Sequence, residues 1–191
     1  MKLLVVIAST REERVGPLVA KWFVERARAH GRFELQIADL KEIALPLLDE
    51  PKHPRLRQYT KAHTRAWSAL VDGADAYVFV TPEYNYSMSP ALLNAIDYVL
   101  HEWAYKPAAF VSYGGASGGM RSVQMTKQVL NSVKVVPVFE AVAIPFFTNY
   151  VAKDGSGTFA PGETFEKSAA VMLDELWRWA EALAPMRTPR T

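Results

Sequence analysis

Short apolar runs alternate with stretches of helical periodicity along most of this chain. Leu3–Ala8 is a continuous, valine-rich run, the pattern of a strand covered on both faces. Phe33–Asp39 begins by alternating at Phe33, Leu35 and Ile37, while Ala74–Thr81 and Ala108–Ser112 are again apolar runs. Lys134–Phe139 and Ala141–Ile144 predict a fifth strand, interrupted near Glu140. Between these runs, apolar residues recur at helical spacing. Pro17 starts a helix carrying Val19, Trp22, Phe23 and Ala27, and Tyr59–Val71 predicts a second that ends near Gly73. Pro90 opens a third, with Leu92, Leu93, Ile96 and Leu100 in one stripe and the Ser89 hydroxyl placed to cap its free N–H groups. Ser117–Ser132 predicts a fourth, with Val123, Val129 and Leu130 inward. Glu163–Leu183 predicts a closing amphipathic helix carrying Phe165, Val171, Met172, Leu176, Trp177 and Trp179. Such alternation implies a parallel sheet with helices on both faces.

Two segments stay irregular. Leu40–Leu56 holds Pro46, Pro51 and Pro54, and a loop of that length rims a site or packs at an interface. Phe146–Gly162 is the other. No repeat or linker divides the chain, so a single domain over residues 1–184 is expected, with a frayed tail from Pro185 to Thr191.

Composition narrows the chemistry. With 191 residues, half of them hydrophobic, the chain can bury a sizeable core. A formal net charge of +2 is too small to point to nucleic acid or a membrane surface as partner. The absence of cysteine removes disulfides, thiolate catalysis, cysteine-bound zinc and cysteine-held iron–sulfur clusters, and suits a cytoplasmic enzyme. Met1–Ile7 resembles a short signal core, but charges from Arg11 onward interrupt it, and no stretch reaches the roughly 18 apolar residues of a membrane span. His63 has no second histidine four residues on, so no metal site is expected there.

The chemistry concentrates in three loops that follow strands. After the first strand, Ser9-Thr10-Arg11-Glu12-Glu13-Arg14-Val15-Gly16 leads into a helix start, whose free N–H groups and the arginine forks suit a phosphate. Taken alone, that loop reads more readily as a solvated one in which Arg11 and Arg14 pair with Glu12 and Glu13. After the third strand, Pro82-Glu83-Tyr84-Asn85-Tyr86-Ser87 offers flat aromatic faces and an amide to a planar heterocycle. After the fourth, Tyr113-Gly114-Gly115-Ala116-Ser117-Gly118-Gly119 packs four glycines into six residues, so backbone must approach something closely, adopt positive φ, or both. A strand order of 2-1-3-4-5 sets these loops side by side at the topological switch point, where open α/β sheets bind ligands. A phosphate loop, an aromatic loop and a glycine loop meeting there describe a flat phosphorylated ligand, and FMN is the obvious candidate.

With these motifs in place, the sequence resembles the flavodoxin-like NAD(P)H-dependent FMN reductases, a family that includes quinone, azo-dye and chromate reductases. Three motifs carry the likeness: Ser9-Thr10-Arg11 in place of the usual G-S-x-R, Pro82-Glu83-Tyr84-Asn85 followed by Asn94-Ala95-Ile96-Asp97, and Ser112-Tyr113-Gly114-Gly115. The resemblance implies a three-layer flavodoxin-like sandwich and FMN as cofactor, with NADPH or NADH as co-substrate. It implies that Ser9 and Arg11 hold the FMN phosphate, that Pro82, Glu83, Tyr84 and Asn85 line the ribityl chain and ring, that Ser112, Gly114 and Gly115 approach the ring's pyrimidine side, and that Tyr113 also belongs to the cofactor site. It further implies small acceptors (quinones, free flavin, azo dyes or chromate) and a homodimer or homotetramer. Trp67, His101, Trp103 and Tyr105, with the proline-rich loop, are candidates for that interface. Three positions depart from the family pattern: Ala8 stands where a glycine is usual, Leu93 where a lysine is common, and Pro90 follows Ser89 where the proline usually comes one residue earlier.

Another class stays open: a non-catalytic flavodoxin-like electron carrier or redox sensor, which tends to be strongly acidic with a T/S-x-T-G-x-T phosphate loop. A response-regulator-like domain would need acidic residues where this chain has Ser9 and Thr81.

Overall fold

Apolar residues on both faces commit the three inner strands to the centre of the molecule. A computed structural model describes residues 1–187. The strands are β1 (Lys2–Ile7), β2 (Glu34–Asp39), β3 (Ala76–Pro82), β4 (Pro107–Tyr113) and β5 (Val136–Ile144). They form one parallel sheet in the order β2-β1-β3-β4-β5. Every residue of β3 and β4 is buried, as two helical layers require. This is the flavodoxin-like architecture that the family resemblance implies.

Alternation along the strands sends side chains into two cores. Val5, Val78, Val111 and Tyr113 face α1 (Gly16–His30) and α6 (Glu163–Leu183). Leu4, Tyr77, Phe79 and Phe110 face α3 (Ala62–Asp72), α4 (Pro90–Asp97) and α5 (Met120–Ser132). Trp67 and Trp103 belong to this second core. They are 1% and 0% exposed, with ring centroids 6.0 Å apart, so neither is available as an interface aromatic. Both indoles are tied to α4 carbonyls, Trp67 to Ala95 and Trp103 to Ile96. His101 is exposed and Tyr105 half-buried.

Several boundaries move for identifiable reasons. The proline-rich loop includes a one-turn helix, α2 (Leu40–Ile43), capped by the Asp39 carboxylate accepting from Lys41 N. Helix α3 begins at Ala62 rather than Tyr59, because Glu50 of that loop accepts hydrogen bonds from the backbone N–H groups of Thr60 and Lys61. Helix α5 begins at Met120 rather than Ser117, because Gly118 and Gly119 have φ of +61° and +86°. Ser89 does not cap α4 through its side chain; its hydroxyl donates to Ala8 O at 2.7 Å and fastens the helix start to the end of β1. Strand β5 is continuous, but near Glu140 three of its residues, Val138, Phe139 and Glu140, stand opposite Ala109 alone, an enlarged bulge. A 3-10 turn at Ala184–Arg187 follows α6, with Arg187 paired to Asp75 at 2.6 Å; the remainder of the expected tail lies outside the described residues. No described helix is long and apolar enough to cross a membrane.

Candidate functional site

Three strand ends define one cleft. The loop after β1, the loop after β3 and the glycine loop after β4 open at the carboxyl edge of the sheet. Together they line a cavity of about 180 Å³ with Ser9, Arg11, Pro82, Glu83, Tyr84, Tyr113, Gly114 and Gly115. Glu13, Arg14 and Val15 of the first loop also line it, as does Phe147, which the sequence does not single out. Phe147 lies in the irregular segment after β5, where no motif marks it; its ring stands edge-on to Tyr113 at 5.3 Å. A larger cavity of about 830 Å³ lies at the opposite sheet edge, among Asp72, Asp75, Lys106 and Arg187. Its main cations are already engaged, Arg187 by Asp75 and Lys106 by the carbonyls of Val71 and Asp72. The smaller cleft, with its free polar groups, is therefore the better candidate site.

The two arginines of the first loop behave differently. Arg14 donates to Ser9 O and to both carboxylate oxygens of Asp39, the second at 2.7 Å, so it braces the loop against β2. Glu12 pairs with Lys41. Arg11 has no ion pair or hydrogen bond among the described residues and is exposed at the cleft. A full cation left free beside a helix start is what an oxyanion needs. Behind it, Ser9 Oγ and the Tyr113 hydroxyl are buried without partners. Gly16 permits both: a Cβ there would lie 2.2 Å from Ser9 Oγ and 2.9 Å from the Tyr113 oxygen. Burial raises the Tyr113 pKa, so the phenol is a neutral donor.

The loop after β3 closes as a tight hairpin. Tyr84 and Ser87 exchange backbone hydrogen bonds of 3.1 and 2.8 Å. Asn85 and Tyr86 between them take φ of 50° and 65°. Two successive left-handed residues mark a type I′ turn, and asparagine tolerates that conformation well. Asn85 is exposed and does not line the cleft, so its place in the motif is explained by backbone conformation. The half-buried Tyr84 does line it, and burial raises its pKa. The outer face of the turn is held by Arg121, whose guanidinium lies 4.0 Å from the Tyr86 ring centroid.

Glu83 joins this loop to the glycine loop. Its carboxylate accepts from Ser117 Oγ at 2.8 Å, Arg121 N at 3.0 Å and Arg121 Nη1 at 2.9 Å. Burial opposes the carboxylate's charge, yet these hydrogen bonds prevail and hold its pKa below the ordinary value. Ser112 lies on the opposite face of β4 from Tyr113, fully buried, and its hydroxyl donates to Gly118 O. It shapes the glycine loop without lining the cleft.

This donor set fits FMN. Free hydroxyls and an unpaired arginine stand where a phosphate enters, and Tyr84, Pro82 and the Gly114–Gly115 backbone offer a wall for a flat ring. Among the described residues no group of acidic or histidine side chains is placed to hold a metal.

Comparison with known proteins agrees with this geometry. The sequence model of the family described as NADPH-dependent FMN reductase matches residues 1–149. An NAD(P)H-dependent FMN reductase of Schizosaccharomyces pombe is 39% identical over 148 residues, 75% of this chain and 74% of that protein. An NAD(P)H:quinone oxidoreductase of Solanum tuberosum is 35% identical over 116 residues, covering 56% of this chain and 58% of its own. Among solved structures, the NAD(P)H:(acceptor) oxidoreductase FerB of Paracoccus denitrificans superposes with a TM-score of 0.74, covering 95% of this chain and 97% of its own at 23% identity. That last likeness concerns the fold.

Proposed function

The chain belongs to the NADPH-dependent FMN reductase family, and from that premise we propose that the three-loop cleft holds FMN and serves NAD(P)H and small acceptors in turn. The acceptors are quinones first, with free flavin, azo dyes and chromate in the same chemical range. The observation that carries the reading is the convergence of an unpaired Arg11 and two unpartnered hydroxyls with an aromatic and a glycine loop in one cleft. The chemistry supplied by bound FMN is acceptance of a hydride from the nicotinamide and onward delivery of two electrons.

The chain's own residues bind and orient. Ser9 and Arg11 take the phosphate, Pro82 and Tyr84 flank the ribityl chain and ring, and the Gly114–Gly115 backbone supports the pyrimidine side. N–H groups there suit negative charge that develops near N1 and O2. No side chain of the cleft is required as a nucleophile. The free cation and aromatic loop also favour this reading over an electron carrier, whose partner surface would be strongly acidic. A homodimer is part of the proposal, with the proline-rich loop as its contact: Leu47, Leu48 and Leu56 are 84%, 43% and 49% exposed there.

Two flat substrates using one open ring face cannot bind together, so the kinetics should be ping-pong. Purified protein should be yellow, and double-reciprocal plots for NAD(P)H and a benzoquinone should give parallel lines. Intersecting lines would show a ternary complex and refute the shared site. Bound FMN with no NAD(P)H oxidation by any acceptor would favour the electron carrier.

A further inference from the structure

Tyr113 is the last residue of the buried strand β4, and its position in the sheet decides where its oxygen goes. Alternation turns Ser112 toward α5 and Tyr113 toward α1. The ring edge rests on Phe147, and the phenol reaches the first residue of α1, Gly16. Ser9 Oγ approaches the same Gly16 from the β1 side. Two hydroxyls from separate loops thus converge on one helix start, within the cleft lined by Arg11.

Both residues are more than nine-tenths buried, at 1% and 4% exposure, and neither hydroxyl has a partner beyond the other. Buried polar groups without partners are rare in native proteins, because each costs its desolvation. One hydroxyl can turn to the other, but two O–H groups facing each other use a single proton, and the second O–H still lacks an acceptor. That acceptor must come from the cleft. Around it stand an unpaired guanidinium and the N-terminus of a 15-residue helix, so the acceptor is anionic and rich in oxygen.

We propose that Tyr113 donates its phenol O–H to the phosphate of FMN, beside Ser9, so that the fourth-strand loop helps to hold the phosphate rather than only the ring. The inference rests on the FMN reading of the cleft and deepens it. The phosphate is then gripped from two strand ends, β1 and β4, and the cofactor is distinguished from its unphosphorylated form by a residue distant in sequence from the phosphate loop.

Flavin-fluorescence titrations of the full chain with FMN and with riboflavin test this. In the parent protein FMN should bind far more tightly than riboflavin. Tyr113→Phe removes one oxygen whose only polar neighbour in the protein is the Ser9 hydroxyl, so the fold should be kept. It should weaken FMN binding by about tenfold or more, the scale of a hydrogen bond to a charged group, and leave riboflavin binding unchanged. Arg11→Ala, the reference in the same assay, should show the same selective loss. If Tyr113→Phe weakens both flavins equally, or neither, Tyr113 is not a phosphate ligand and the proposal is overturned alone. A parent protein that binds neither flavin would overturn the cofactor reading and the proposal with it.

Discussion

Gly115 and Gly119 stand four residues apart in one loop and are glycine for different reasons. At Gly119, φ is +86° and a Cβ would lie 2.9 Å from both Ser112 Cβ and Tyr113 N. At Gly115, φ is ordinary and a Cβ would meet no protein atom within 4 Å, yet the residue lines the cleft. The first glycine serves the fold; the second leaves room for something that is not protein. Gly119→Ala should therefore destabilise the chain by about 1–3 kcal/mol in urea denaturation, from left-handed strain and the close contacts. Gly115→Val should unfold within about 0.5 kcal/mol of the parent while FMN titration shows roughly tenfold weaker binding or worse. Equal stability loss in both variants would make Gly115 a structural glycine too. From the sequence, the four glycines of this loop formed one signal, because φ is not written in a glycine. Ser112 and Tyr113 were likewise adjacent candidates, and only strand alternation separates the one that lines the cleft from the one that does not. Gly16 carried no separate signal, since its smallness matters only where the fold brings Ser9 Oγ and the Tyr113 phenol against it.

Single contacts between elements decide how these loops are held. Ser89 fastens α4 to β1, Arg14 fastens the first loop to β2, and Glu83 fastens the loop after β3 to the start of α5. Glu83→Gln keeps the shape but loses the charge, and should cost about 1–2 kcal/mol at pH 7. The sign of its pH dependence follows from its lowered pKa. Such a carboxylate contributes stability that is present above its unfolded pKa and is lost as pH falls through the folded value. The gap between parent and variant in urea midpoints should thus close in acid, below the ordinary carboxylate range. A gap unchanged there would mean that hydrogen-bond geometry, not charge, makes the contact. The strands and five main helices were legible because continuous apolar runs and 3.6-residue stripes are local patterns. These fasteners were not, since each joins residues 25 to 81 positions apart. For the same reason Ser89 read as a cap, a role that its sequence neighbours suggest and its contact with Ala8 overrides.

For the molecule as a whole, the 2-1-3-4-5 order is what turns three separate motifs into one cleft, and that order places the tryptophans as well. Trp67 and Trp103 fill the core beneath α4, whereas the exposed leucines cluster on the proline-rich loop. If that loop is the dimer contact, light scattering at micromolar concentration should return about twice the chain mass of 21.4 kDa. Leu47→Asp combined with Leu48→Asp should return a single chain mass, and a parent protein already at that mass would remove the dimer. The swelling of β5 opposite Ala109 bears on association of another kind. A strand that spends three residues where its neighbour spends one presents outward N–H and C=O groups out of step with any straight partner. On that side, the sheet is a poor template for a strand of another molecule. By that argument, the irregularity at Val138–Glu140 disfavours edge-to-edge growth on the β5 side.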